Sequence, residues 1–134
     1  MALLSLEDIS AELCTAAGWQ KNVTMRSDSV KFELEDGLSF TLKNFDNKTM
    51  AFEAPLGLLP EDKVEADELA RKLCRLAAAA SLRRRSILSL SNGQLALHLI
   101  YDTVATPLAQ APLSCAEFLN DLDWWRLNGF SPEN

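Results

Sequence analysis

Histidine and tyrosine each occur once in 134 residues, and only three cysteines, five glycines and five prolines are present. Each scarcity excludes something. A metal centre gathers several nitrogen, sulfur or carboxylate ligands, and His98 stands in an apolar run with no Cys or Asp at ligand spacing, so no metal site is expected. Cys14, Cys74 and Cys115 lie far apart without a Cys-x-x-Cys pair, and the odd count leaves at least one thiol unpaired. They read as reduced, partly buried thiols rather than as a disulfide framework. The sequence has no Gly-x-Gly-x-x-Gly, no phosphate loop and no nucleophile elbow, so no cofactor is expected. Nor does any stretch approach the roughly 18 apolar residues of a membrane span. Met1 to Leu6 lacks a basic region and runs into Glu7 and Asp8, against a secretory signal. The expectation is a cytoplasmic protein.

Positive charge is also in deficit. Thirteen basic residues face nineteen acidic ones, a net charge of −6 with a pI near 4.7, and such a chain repels phosphate backbones. Arg83-Arg84-Arg85 falls where a helix should end, and cations there complement the helix dipole. Glu61, Asp62, Glu65, Asp67 and Glu68 read as a solvated acidic face rather than an acid/base pair. The pattern is not that of an enzyme. At this length the chain reads as one domain, residues 1–134, able to bury roughly two-thirds of its unfolded surface.

What is present is organised around Arg83 to Asp102. Asn92-Gly93 separates two alternating apolar runs, the strongest short-range hairpin signal, because a type I′ turn needs positive φ at both central residues. A two-residue loop pairs Ser91 with Gln94, Leu90 with Leu95 and Leu88 with Leu97, so these leucines share one face with Leu99 and Tyr101. The other face carries Ser89, Ser91, Gln94 and His98, but also Ile87, Ala96 and Ile100. Part of that face is expected to be covered by a helix or a second chain.

Upstream, Leu6 to Ala17 has helical spacing at Leu6, Ile9, Leu13 and Ala17, with Ser5 and Asp8 as a capping box and Gly18 as the stop. Val30, Phe32 and Leu34, then Leu38, Phe40 and Leu42, alternate with polar residues, and parity favours a three-residue loop, Glu35 to Gly37, that sets Phe32 opposite Phe40. A third strand, Thr49 to Ala54, follows the polar loop Asn44 to Lys48 and is expected to place Met50 and Phe52 opposite Leu42 and Phe40. Pro55 should end that strand, and Pro60 should begin a second helix running to Leu82, striped by Val64, Leu69, Leu73 and Leu76. After a loop with Pro107 and Pro112, a last helix should run from Cys115 to Asn128, capped by Ser114 and Glu117 and stopped by Gly129. Phe130 to Asn134 reads as a tail. The fold class is α+β, in the order α-β-β-β-α-β-β-α, with a twisted antiparallel sheet carrying its helices.

This order, with its acidic balance and the Asn92-Gly93 hairpin, resembles the class I type III secretion chaperones of Gram-negative bacteria over nearly the whole chain. The resemblance implies a bacterial cytoplasmic homodimer, associated with virulence, that binds the N-terminal segment of a secreted effector, keeps it extended and delivers it to the secretion apparatus. It assigns effector binding to Leu6, Ile9, Leu13, Val30, Phe32, Phe40 and Phe52. The dimer interface falls to Leu69, Leu73, Leu76, Ile87, Ala96 and Ile100. On that assignment, Ile9→Asp or Leu13→Asp should abolish effector capture and leave the dimer folded. A regulatory or adaptor domain that shares the fold and binds a folded partner is the alternative.

Overall fold

Local chemistry sets the first element. In the computed structural model, which describes residues 5–17, 23–25, 28–34, 39–46 and 48–129, helix α1 spans Leu6–Ala17. Its start is a reciprocal capping box, the Asp8 N–H donating to Ser5 Oγ at 3.1 Å and the Ser5 N–H to Asp8 Oδ2 at 3.2 Å. Among the described residues six strands follow: β1 Val23–Met25, β2 Ser29–Glu33, β3 Ser39–Asn44, β4 Thr49–Leu58, β5 Ile87–Ser91 and β6 Gln94–Asp102. Helix α2, Lys63–Ala80, separates β4 from β5, and a 3₁₀ turn at Leu108–Gln110 leads into α3, Ala111–Asn128. All neighbouring strands are antiparallel, in the order β1-β2-β3-β4-β6-β5, so the fold is α+β.

The two hairpins with the clearest alternation take the expected register. Phe32 faces Phe40 and Val30 faces Leu42, although the loop at Glu35 to Gly37 lies outside the described residues, as do Gly18 and Phe130 to Asn134. Ser91 faces Gln94, Leu90 faces Leu95 and Leu88 faces Leu97. Asn92 (φ 54°) and Gly93 (φ 76°) both adopt the positive φ of a type I′ turn. An added Cβ at Gly93 would meet nothing within 4 Å, so only backbone strain opposes a substitution. Gly93→Ala is therefore expected to cost about 1 kcal/mol. In a chain of this size that lowers Tm by roughly 4 °C, read by thermal unfolding.

Elsewhere the structure corrects the sequence reading. Val23-Thr24-Met25 adds a first strand that three residues were too few to signal. Phe52 faces Leu42 and Met50 faces Asn44, a slip of two residues from the expected pairing. Asp46 causes the slip: its Oδ1 accepts from the N–H groups of Lys48 and Thr49 and tightens the turn, leaving Asn44 in the strand. Because side chains alternate with a period of two, the apolar face survives the shift.

Pro55 does not end β4. The last β3 pair is Thr41 with Glu53, and the pairing with β6 is irregular between Pro55 and Gly57, so the missing N–H falls at a bulge. Helix α2 begins after Pro60, at the better cap Asp62, whose Oδ2 accepts from the Glu65 N–H at 3.0 Å, and it ends at Ala80 rather than Leu82. Helix α3 begins at Ala111, earlier than expected, with Pro112 in its first turn, where a missing N–H costs nothing. Ser114 is thus inside the helix and caps nothing.

Helices α1 and α3 pack on each other and cover one face of the sheet. Between them Phe32 stacks on Phe40 at 4.8 Å between ring centroids, Phe118 of α3 lies 5.8 Å from Phe52 and 6.1 Å from Phe40, and Tyr101 meets Phe52 edge-on at 6.2 Å. The alternation of β2, β3, β4 and β6 puts Val30, Leu42, Met50, Leu97 and Leu99 into the same core.

Candidate partner-binding surfaces

The apolar side of the sheet is closed by the chain's own helices. Leu6, Ile9, Leu13, Val30, Phe32, Phe40 and Phe52, the residues assigned to effector binding, are all buried in the core. Of these, Leu13 also lines a hollow between α1 and α3. Helix α3, through Phe118, Leu122 and Trp125, covers the side of the sheet to which that assignment points.

The six residues assigned to the dimer divide. Leu73 is buried, while Leu69 and Leu76 are half-buried and face inward from α2 onto the core. Ile87 and Ile100, 59% and 48% exposed, and half-buried Ala96 share the opposite, open face of β5 and β6. The structure therefore brings Ile87, Ala96 and Ile100 together and separates them from the α2 stripe. Sequence reasoning did not single out Leu58 and Leu90 as surface positions, yet they are 68% and 56% exposed at the hairpin end of the sheet. Expecting Leu90 to face the core was correct in direction, since it lines the hollow beneath α2, but β5 is the edge strand and leaves it half in solvent.

The open face is concave, enclosing about 720 Å³ lined by Lys31, Thr41, Lys43, Glu53, Ser89 and His98 among others. A ladder of side chains crosses four strands on this face. Lys43 Nζ lies 2.7 Å from Glu53 Oε1, Glu53 Oε2 lies 3.4 Å from His98 Nδ1, and His98 Nε2 lies 2.6 Å from Ser89 Oγ. Hydroxyl, imidazole and carboxylate stand in the order of nucleophile, base and orienting acid. Acyl transfer also needs donors converging on an oxyanion. Here the ladder bonds of β6 are taken up by β4 on one side and β5 on the other, and Lys43 already holds the carboxylate. The ladder ties strands together.

Smaller apolar hollows flank the helices. One of about 200 Å³ lies between α1 and α3, lined by Leu13, Ala16, Ala17, Pro112, Cys115 and Leu119. A second, of about 250 Å³, lies beneath α2 against Leu88, Leu90 and Leu95. Burial pushes the Cys115 thiol up to about 12 and raises that of Cys14, so neither is an activated nucleophile.

The Arg83 to Arg85 run does more than complement a helix end. Arg84 Nη1 reaches Asp121 Oδ1 at 3.1 Å, and Arg85 grips Glu117 with two bonds of 2.7 Å, which hold the Glu117 carboxyl below the usual range. Among the described residues no helix is long and apolar enough to cross a membrane, and no three His, Cys, Asp or Glu side chains gather as a metal site would require.

No family model and no curated protein matches the sequence. Solved structures do match the fold. The crystal structure of the ExsC–ExsE complex contains a chain with TM-score 0.66 and 15% identity, covering 96% of this chain and 100% of that one. The HopA1–SchA chaperone–effector complex contains one with TM-score 0.59 and 13% identity, covering 92% and 98%. The heterodimeric ExoU–SpcU complex, from the type III secretion system of Pseudomonas aeruginosa, gives TM-score 0.63 and 12% identity over 90% and 93%. At these identities the likeness is one of architecture alone: the chain has the fold of the chains it matches in the ExsC–ExsE complex, in a chaperone–effector complex and in a type III secretion system complex.

Proposed function

We propose that this protein is a type III secretion chaperone: a homodimer in the bacterial cytoplasm that holds the N-terminal segment of a secreted effector extended and delivers it for export, without chemistry of its own. The observation that carries this reading is a likeness spanning at least nine-tenths of this chain to one structure described as a chaperone–effector complex and another described as a type III secretion system complex. The effector would lie over the buried cluster rather than in it, using apolar hollows such as the one that Leu13 backs between α1 and α3. Extended peptides gain affinity from main-chain bonds to a strand edge and from side chains seated in apolar pockets, both tolerant of sequence.

Dimerisation draws support from the charge along α2. Five carboxylates, Glu61, Asp62, Glu65, Asp67 and Glu68, precede or occupy its first half, and Arg71, Lys72 and Arg75 follow. A two-fold axis that sets two such helices antiparallel brings each acidic half against a basic one. Exposed Ile87 and Ile100 extend the surface available to a second copy.

Light scattering at micromolar concentration should give about twice the 14.8 kDa chain mass. Co-purification from the native host should yield a protein whose bound N-terminal segment is shielded from proteolysis yet lacks folded structure. A monomer overturns the dimer, and a partner held only as a folded domain overturns the chaperone reading in favour of an adaptor.

A further inference from the structure

Helix α2 is thinly held. Of its eighteen residues only Leu73 and Ala80 are buried, with Ala66, Leu69, Leu76 and Ala77 partly so. Packing of this extent leaves a helix free to rock, and such elements lie at the low end of local stability. Its angle to β5 is fixed at the corner between them. Ser81 N–H bonds to the Ala77 carbonyl, and the N–H groups of Arg83 and Arg84 both bond to that of Ala80, at 2.9 and 2.8 Å, so Arg84 is a stiff continuation of the helix end. Ser86, two residues on, immediately precedes β5.

One carboxylate grips both sides of this corner. Asp121 of α3, its side chain 3% exposed, accepts from Arg84 Nη1 through Oδ1, and through Oδ2 from the N–H of Ser86 at 3.2 Å and from the Ser86 hydroxyl. The Arg84 guanidinium lies over the Trp124 ring, 5.1 Å from its centroid, and the Arg85–Glu117 fork adds a second tie one turn along α3. Helix α3 itself is anchored in the core by Phe118, Leu122 and Trp125. We propose that Asp121 is a positioning residue for the dimer, locking the angle between α2 and the β5–β6 hairpin so that both present one preformed surface to the second copy. This rests on the dimer reading above. Its physical basis is preorganisation: a surface made of two elements binds more weakly when their relative placement must be fixed on binding.

The test uses full-length Asp121→Asn, which keeps shape and removes charge, at a temperature where its circular dichroism matches the wild type. Sedimentation across a concentration series should show the dimer dissociation constant raised about tenfold or more, and hydrogen exchange should quicken in α2 and β5 while β2 to β4 stay unchanged. Glu117→Arg should weaken the dimer in the same way, and adding Arg85→Glu to it should restore both readouts. If Asp121→Asn fails to fold, Ser86→Ala, which removes one donor without stranding a charge, is read identically. Wild-type dissociation and α2 exchange in these variants would overturn the proposal, as would exchange that quickens uniformly across the sheet. A monomeric wild type would overturn the dimer, and with it the proposed role in assembly; the exchange pattern still decides whether Asp121 locks the corner.

Discussion

Ile9→Asp is expected to unfold this protein. Ile9 is fully buried where α1 meets the sheet and α3, between Leu6 and Leu13. Truncating an isoleucine in such a place costs about 2–5 kcal/mol, and an unpaired carboxylate in the same desolvated position adds several more. Together these approach the roughly 5–15 kcal/mol that hold a domain of this kind together. Far-UV circular dichroism with urea titration reads the outcome, and Ala11→Asp on the exposed side of α1 serves as the control, with a change of about 0.7 kcal/mol from helix propensity alone. An Ile9→Asp variant that melts like the wild type would return Ile9 to the surface and restore the effector patch inferred from the sequence. The structure predicts the opposite, because α3 closes the space that patch requires.

The second large effect is expected at Phe52. Its ring is fully buried on the central strand β4 and touches the rings of Phe40, Tyr101 and Phe118, so it joins three strands to α3. Phe52→Ala removes the shared member of that cluster and should cost about 3–5 kcal/mol, with the spread set by how far the neighbours collapse into the space. Phe45→Ala is the matched comparison, since Phe45 is 61% exposed beside the β3–β4 turn and should change stability by no more than about 0.5 kcal/mol. The readout is the urea midpoint at constant slope. Equal costs at the two positions would mean that the aromatic cluster does not organise the core.

Features that depend on neighbours a few residues apart were legible. The Ser5–Asp8 capping box, the type I′ turn at Asn92-Gly93 and the register of the hairpin around it all follow from bonds that close within one turn. The β3–β4 slip shows where that legibility stops. A single side-chain acceptor, Asp46, shortened a loop whose length the apolar pattern left free, since a shift of two residues preserves every face. Likewise Pro55 reads as a strand breaker until the β3–β4 pairing is seen to end at Thr41 and Glu53, leaving β4 room for a bulge.

By itself, the sequence determined which faces are apolar, where the helices and most strands run, the α+β class and the resemblance to secretion chaperones. Tertiary structure alone decided what covers those faces. Periodicity reports that Ile9, Phe32 and Phe52 must leave water, but burial is non-directional, and a helix of the same chain, a second copy or an effector satisfies it equally. Here α3 supplies the cover. The pairings that tie it to the chain before β5, Arg84 with Asp121 and Arg85 with Glu117, join residues 37 and 32 positions apart. At that separation nothing in the local pattern of charges selects a partner, because loop closure and packing of the whole chain settle which groups meet.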